Sequence, residues 1–494
     1  MNLDARTLPA AFRSQMQTLL GADSEAFFKA LEQASPVSLR LNPAKFSPGQ
    51  EDRLPARSTE TVPWCPWGRY LDVRPSFTLD PAFHAGAYYV QEASSMFLWT
   101  VMREALGHLD TTAPLTALDL CAAPGGKSTL LLDALPEGSV LVANEVQRQR
   151  AFVLAENLAK WGHPDTIVTQ SDPAALGALF PAMAFPRGAF DLMLTDVPCS
   201  GEGMFRKEPD ALRDWSPAAV SACRERQRDI LQAVWPALRP GGLLIYSTCT
   251  YNLAENEENV RWIAEQLGAG ILGIDVEGLL GGSPSALGLS PSFDAGLPAT
   301  RFLPHRSRGE GLFMALLQKD DRPLQKTARR PDSGRERRKE QRPPVPAAVA
   351  EAISWLGKPG KGQAAEYAAL MLPDGTYTAA SPLVADIARL LMKNRLPLLS
   401  AGVALGQLKG RDLAADTALA LSTALDPHRL PCHELDREQA LRFLRREALT
   451  LPADLPKGLV LVSWKGLPLG FVRQLGSRAN NLYPAQWRIR SNIG

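Results

Sequence analysis

Short apolar runs recur along this chain, each passing through small or polar residues into an amphipathic helical stretch. Residues 115–120, 140–143, 167–170, 190–194 and 241–247 are apolar through most of their length and too brief for surface helices. That is the pattern of strands covered on both faces of a parallel sheet. Residues 128–132 open one intervening helix, and Ala151, Leu154, Leu158 and Trp161 share one face of another. Ser216-Pro217 starts a third in the order of cap then first turn. The succession predicts an α/β fold with a doubly wound sheet, whose ligands bind outside the carboxyl ends of the strands.

The exits of two strands carry the candidate chemistry. Residues 190–194 lead to Asp196, Pro198 and Cys199, and residues 241–247 lead through Thr248 to Cys249. If the two strands are neighbours, about 4.8 Å apart, both thiols emerge into one pocket with Asp196 beside them. A lone cysteine is more often a small buried hydrophobe. The repetition at two strand ends favours a paired-thiol site.

A second signal lies at the first strand, where Cys121, Ala122, Ala123, Pro124, Gly125, Gly126 and Lys127 form a tight turn before a helix. Small residues admit close approach of a ligand to the backbone, and a helix N-terminus offers free amides to an anionic group. The spacing is not that of a phosphate loop, which points away from a triphosphate. Glu145 follows the turn at the distance from which an acid binds ribose hydroxyls in dinucleotide folds, with Arg150 soon after. Asp172 ends the next strand, placed to accept from an exocyclic purine amine. Singly, each acid reads equally as a helix cap; at successive strand ends they favour an adenosine site.

The 494 residues predict about three domains. Hydrophobic residues at 45% and charged residues at 21% mark a globular chain. A net charge of +2 leaves any nucleic-acid affinity to local patches. The opening residues have no signal-peptide design, and no apolar run approaches the roughly 20 residues of a bilayer span. The expectation is a cytoplasmic protein with no membrane partner. Cys65, Cys121, Cys199, Cys223, Cys249 and Cys432 are scattered without a Cys-x-x-Cys pair, against a disulfide framework and against a metal site. Cys65, Cys223 and Cys432 read as plain core or surface thiols.

Residues 1–75 form an expected α/β accessory domain, with Leu8, Phe12, Met16 and Leu19 at helical spacing and an extended segment at 37–41. Trp64, Trp67 and Tyr70 offer either a stacking surface for bases or a packed seam, and the seam is preferred. Residues 76–319 make the catalytic core and 320–347 a charged linker. Residues 319–342 hold ten basic and five acidic residues, a solvated excess of +5 that can hold phosphates. Residues 348–427 read as a small mixed domain. Residues 428–494 run from a helix into strands and resemble a PUA-like module, a compact RNA binder; that resemblance implies phosphate contacts from Arg473, Arg478, Arg488 and Arg490, which cluster beside Tyr483 and Trp487.

Taken together, residues 121–127, the run from Asp196 to Gly203, Ser247-Thr248-Cys249-Thr250 with Glu255-Asn256-Glu257, and residues 301–305 with 309–313 resemble the signature motifs of the Nol/Nop/Sun-type RNA cytosine-5 methyltransferases. The flanks, at 8–12, 38–43, 62–66, 470–472, 480–484 and 487–489, resemble the bacterial ribosomal small-subunit subgroup F of that family. Asn252-Leu253 departs from it, standing where many relatives carry a proline.

The resemblance implies a Rossmann-like S-adenosylmethionine-dependent core, the small N-terminal α/β domain and a C-terminal PUA-like RNA-binding domain. It implies a monomer making 5-methylcytidine in 16S ribosomal RNA, free or within the small ribosomal subunit. Cys249 is then the nucleophile toward cytosine carbon 6, Cys199 acts in the elimination, and Asp196 holds the ring edge near nitrogen 3. Cofactor contacts fall to residues 121–127, Glu145, Arg150, Asp172 and Asp196, and the Lys127 charge favours a thiolate. The alternatives are a non-catalytic RNA-binding assembly factor, a transfer-RNA enzyme, and a DNA or small-molecule methyltransferase. Intact Cys249, Cys199 and Asp196 weigh against the first. DNA enzymes of this chemistry use the Pro-Cys cysteine and need no second thiol.

Overall fold

The apolar runs are the strands of one sheet in the computed structural model, which describes residues 7–47, 49–180, 190–321, 344–357, 367–476 and 478–490. Ahead of them lie helices α1 (Ala10–Leu20) and α2 (Ser24–Leu31) and a small antiparallel sheet. Its strands are β1 (Ser38–Leu41), β2 (Ser58–Thr61), β3 (Gly68–Leu71) and β4 (Tyr88–Tyr89), in the order β2-β3-β1-β4. The closing strand thus comes from beyond residue 75. Helices α3 (Pro81–His84) and α4 (Leu98–Gly107) follow.

Strands β5 (Thr116–Asp119), β6 (Val140–Asn144), β7 (Thr166–Thr169), β8 (Phe190–Asp196) and β9 (Leu238–Thr248) are all parallel where they pair. The chain moves outward from β5 to β6 and β7, then returns to place β8 and β9 on the other side of β5. This reversal is the switch point at which α/β folds bind ligands. Helices α5 (Gly126–Ala134), α6 (Arg148–Trp161), α7 (Pro173–Leu179), α8 (Pro209–Asp214) and α9 (Pro217–Val234) connect them. The Ser216 hydroxyl caps α9 at the Ala219 amide. Strands β10 (Ala269–Leu272), β11 (Leu289–Pro291), β12 (Thr300–Phe302) and β13 (Leu312–Lys319) extend the sheet antiparallel beyond β9.

Alternation along the strands buries both faces. Ala117, Leu192, Leu194 and Ile245 join one apolar layer, while Leu118, Met193, Leu244 and Tyr246 join the other. The second layer also takes Val384, Ile387 and Leu391 of the helix Pro382–Lys393. Just after it, the strand Leu398–Ala401 pairs antiparallel with β7. The segment expected as a small mixed domain is therefore tied to the core sheet by backbone hydrogen bonds. Lys319, counted with the basic tract, is instead buried at the end of β13, donating to the carbonyls of Trp235 and Leu238. Residues 322–342 of that tract lie outside the described residues.

The aromatic trio packs a seam. Trp64 is buried with its ring centroid 4.9 Å from that of Phe302, and Tyr70 donates its hydroxyl to the Arg308 carbonyl. Tyr483, expected beside an RNA surface, is fully buried, with its ring against Phe443 and its hydroxyl 3.3 Å from His84 Nδ1. It holds the C-terminal module to α3, while Arg478, Arg488 and Arg490 remain exposed. Arg473 lies 3.7 Å from Asp412. No helix among the described residues is long and apolar enough to cross a membrane.

Arg40 joins the N-terminal sheet to the core. Fully buried, it donates to Gln91 Oε1 (2.7 Å) and Thr129 Oγ1 (2.6 Å), pairs with Asp133, and stacks 4.5 Å from the Trp161 ring. Removing one partner of a buried ion pair strands the other. Arg40→Met is expected to cost about 3–5 kcal/mol of unfolding free energy, read by urea denaturation.

Candidate active site

Strands β8 and β9 are in register with Asp196 opposite Ser247, so Cys199 and Cys249 leave the sheet side by side. Their sulfurs are 3.3 Å apart. Gly201, at φ 70°, turns the first loop back, and Gly203 lies so close to the second that a Cβ would meet the Cys249 and Gly311 carbonyls at 2.9 Å. Only glycine fits there without backbone movement.

Two buried carboxylates cross between the loops. Glu202, on the Cys199 side, accepts from the amides of Tyr251 (2.7 Å) and Asn252 (2.9 Å) on the Cys249 side. It also accepts from Trp215 Nε1 and from Gln15 of α1. Glu255, on the Cys249 side, accepts from the Ser200 amide (3.0 Å), Gln227 (2.7 Å) and the Asn252 side chain (2.8 Å). Asn252 thus serves both carboxylates, its backbone amide donating to Glu202 and its side chain to Glu255. Glu202 and Glu255 lie within the sequence motifs, which assign them no role. Their signal was the presence of acids in loops otherwise built of small residues.

Burial does not make both thiols reactive. The neighbouring Cys249 sulfur first, then burial, holds the Cys199 thiol well above the ordinary cysteine range. Burial also pushes the Cys121 thiol up, reinforced by nearby carboxylates. Lys127, expected to lower a thiol's pKa, bonds Asp196 Oδ2 at 2.8 Å. Burial disfavours its ammonium, but Asp196 and the Cys249 sulfur more than offset this, and its pKa is raised.

The turn after β5 is closed by Gly125 at φ 111°, so α5 begins at Gly126, two residues earlier than the sequence pattern suggests. Ala122 donates its amide to the Asn144 carbonyl. The Ala123 carbonyl accepts from Arg150 (2.8 Å), and the Pro124 carbonyl from Asn157 (2.7 Å) and Tyr89 (3.2 Å). Arg150 therefore braces the turn, and also lies 3.6 Å from Glu145. Glu145 is buried and accepts from the Gln147 amide. Asp172 caps α7 through the Ala174 amide, as the plainer reading had it.

Both acids nevertheless line one cavity of about 720 Å³, together with Cys121, Ala123, Arg150, Asp196, Cys199 and Cys249. Cys223, read as a plain core or surface thiol, lines it too. Ala122, Pro124, Gly126 and Lys127 face an adjoining hollow of about 160 Å³ that shares Asp196. Gly125 borders neither and acts as the turn. Asp119 lies at the back, its Oδ2 accepting from Ser128 (2.6 Å) and its Oδ1 buried without a hydrogen-bond partner. Among the described residues no cluster of His, Cys, Asp and Glu is arranged to hold a metal ion.

Known proteins resemble this chain over most of its length. The family described as 16S rRNA methyltransferase RsmB/F matches residues 108–318. The N-terminal domain of 16S rRNA methyltransferase RsmF matches residues 8–93, and the methyltransferase RsmF PUA domain matches residues 431–489. The chain belongs to the RsmB/F methyltransferase family. Its RsmF-type layout carries the N-terminal α/β domain, the Rossmann-like core and a PUA domain. Ribosomal RNA small subunit methyltransferase F of Salmonella agona (strain SL483) is 29% identical over 502 residues, 97% of this chain and 96% of that one. Its counterpart in Salmonella heidelberg (strain SL476) gives the same figures. Among solved structures, a methyltransferase homolog protein from Pyrococcus horikoshii is 26% identical, with a TM-score of 0.51, over 64% of this chain and all of that one. The fold of NSun6 from Pyrococcus horikoshii, solved with SFG, is also similar, at 20% identity and a TM-score of 0.52 over 64% of this chain and 99% of that one.

Glu202→Ala leaves two backbone amides and an indole N–H without their acceptor, and is expected to cost about 3 kcal/mol in urea denaturation. Burial raises the Asp119 carboxyl to about 7. The folded protein thus holds this proton more tightly than the unfolded chain, and the stability it contributes falls as pH rises from about 4 to about 7. Asp119→Asn is expected to flatten that decline in thermal melts across the same window.

Proposed function

We propose that this protein is an S-adenosylmethionine-dependent RNA cytosine-5 methyltransferase that forms 5-methylcytidine in small-subunit ribosomal RNA. The observation that carries the reading is the pair of sulfurs 3.3 Å apart on one side of the switch point, beside Asp196 and an acid-walled cavity. The family and the names of the Salmonella relatives support the substrate class. Exposed Arg478, Arg488 and Arg490 on the PUA domain suit phosphate contact.

The residues fit the cofactor. The cavity wall joins Glu145, suited to ribose hydroxyls, to Asp172, suited to an amine, and ends at Asp196 beside the thiols. The small residues of the turn leave its backbone approachable. When bound, S-adenosylmethionine supplies a methyl group on a positively charged sulfur.

Carbon 5 of cytosine is a poor nucleophile, so a thiolate must first add to carbon 6. Cys249 is that nucleophile, with the Lys127 charge near it. Asp196 hydrogen-bonds the ring near nitrogen 3 and favours its protonated form in the adduct. Cys199 keeps its proton while an unreacted sulfur lies against it. Once the Cys249 sulfur is bonded to carbon 6, that neighbour no longer bears charge, and the Cys199 thiol ionises more readily. Its thiolate then removes the carbon-5 proton, the 5,6 double bond reforms, and Cys249 leaves.

Cys249→Ala is expected to abolish an RNA adduct that survives denaturing electrophoresis, and Cys199→Ala to make that adduct accumulate. The reverse pattern would assign the nucleophile to Cys199, as in DNA enzymes. Mapping 5-methylcytidine in ribosomal RNA from cells with and without the gene tests the substrate. Equal modification in both removes the ribosomal assignment.

A further inference from the structure

The geometry points to a second nucleobase slot, outside the catalytic cavity, where the N-terminal sheet, α6 and the PUA domain meet. It is a cavity of about 270 Å³, walled by Phe77, Phe83 and Tyr89 and bordered by Arg74, Lys160 and Asn157. The inference rests on the reading of this protein as an RNA enzyme and adds where a nucleotide other than the target is held.

The cavity has the composition of a base-stacking site. The three rings are half-buried, so each keeps surface open to an occupant. Arg74 is exposed, with its guanidinium 5.8 Å from the Phe77 centroid. The Lys160 ammonium is fixed 5.7 Å from the Phe83 centroid and 5.3 Å from that of Trp487, and bonds Glu156. Aromatic faces take any base by stacking, and the exposed Arg74 meets its phosphate, while Lys160, buried and paired with Glu156, braces the wall behind the rings. The back of the cavity is closed by backbone, since a Cβ on Gly86 would come 1.8 Å from the Lys160 carbonyl.

Its position links it to the chemistry. Tyr89 borders both this cavity and the hollow containing Lys127 and Asp196. Tyr89 and Asn157 both donate to the Pro124 carbonyl in the turn beside the catalytic cavity. An RNA strand whose target base enters the thiol site can therefore place a flanking base on the far side of Tyr89. Stacking without base-edge readout gives this contact affinity and register with little sequence preference.

Fluorescence anisotropy with a short labelled single-stranded RNA tests the slot in the full chain. Phe77→Ala and Arg74→Ala, both in an accessible loop, are each expected to weaken RNA binding about tenfold. Phe77→Trp, which keeps a ring, is expected to restore affinity, while thermal melting and calorimetric S-adenosylmethionine binding stay unchanged. RNA affinity within about twofold of wild type in Phe77→Ala overturns the slot, as does loss confined to Arg74→Ala, which marks a phosphate contact alone. Wild-type protein that leaves cytidine unmethylated, with the ring-dependent loss intact, would sink the functional reading and leave the slot standing.

Discussion

The crossed pair of carboxylates behind the thiols is the constraint on which the site depends. Parallel pairing of β8 and β9 brings two loops to the same edge of the sheet, but pairing ends at Asp196 and Ser247. Beyond it, each loop must be held by something other than a ladder. Glu202 reaches from the first loop to amides of the second, and Glu255 reaches back. Each is fully buried, so its bonds are shielded from competing water. Two sulfurs carried on separate loops can then stay within contact distance.

The same carboxylates carry order outward. Gln15 of α1 donates to Glu202, so the N-terminal helix touches the network behind the thiols. At the opposite side of the core, Arg40 of β1 reaches Thr129 and Asp133 on α5, the helix that follows the glycine turn after β5. The N-terminal domain thus grips both halves of the site. The PUA domain is joined in turn through Tyr483 and His84. The N-terminal domain is thereby linked both to the loops behind the thiols and to the PUA domain.

Much of this was legible in the sequence because it follows from period and position. Buried strands announce themselves as apolar runs, and residues at their carboxyl ends are placed by the fold, so Cys199, Cys249, Asp196 and the turn after β5 could be assigned to one edge. What escaped depends on contacts between distant segments. Nothing local marks Glu202 as an acceptor for Tyr251, or Lys127 as an ion-pair partner of Asp196. Tyr483 failed as a surface residue because its neighbours along the chain are exposed arginines, while its neighbours in space are Phe443 and His84. Asp172 lines the cavity and caps α7 together, so the two readings of that acid were never exclusive.

The strand Leu398–Ala401, lying against β7, has a consequence for the chain as a polymer in a crowded cell. An uncovered edge offers a row of unpaired amides and carbonyls to any extended peptide nearby. In this fold the β7 edge of the core is paired by a segment synthesised long after the core itself, which becomes a new edge four residues long and irregular in register. Until that segment leaves the ribosome, the nascent core carries the more regular adhesive border of β7, and the chain's last third exchanges it for one broken in register.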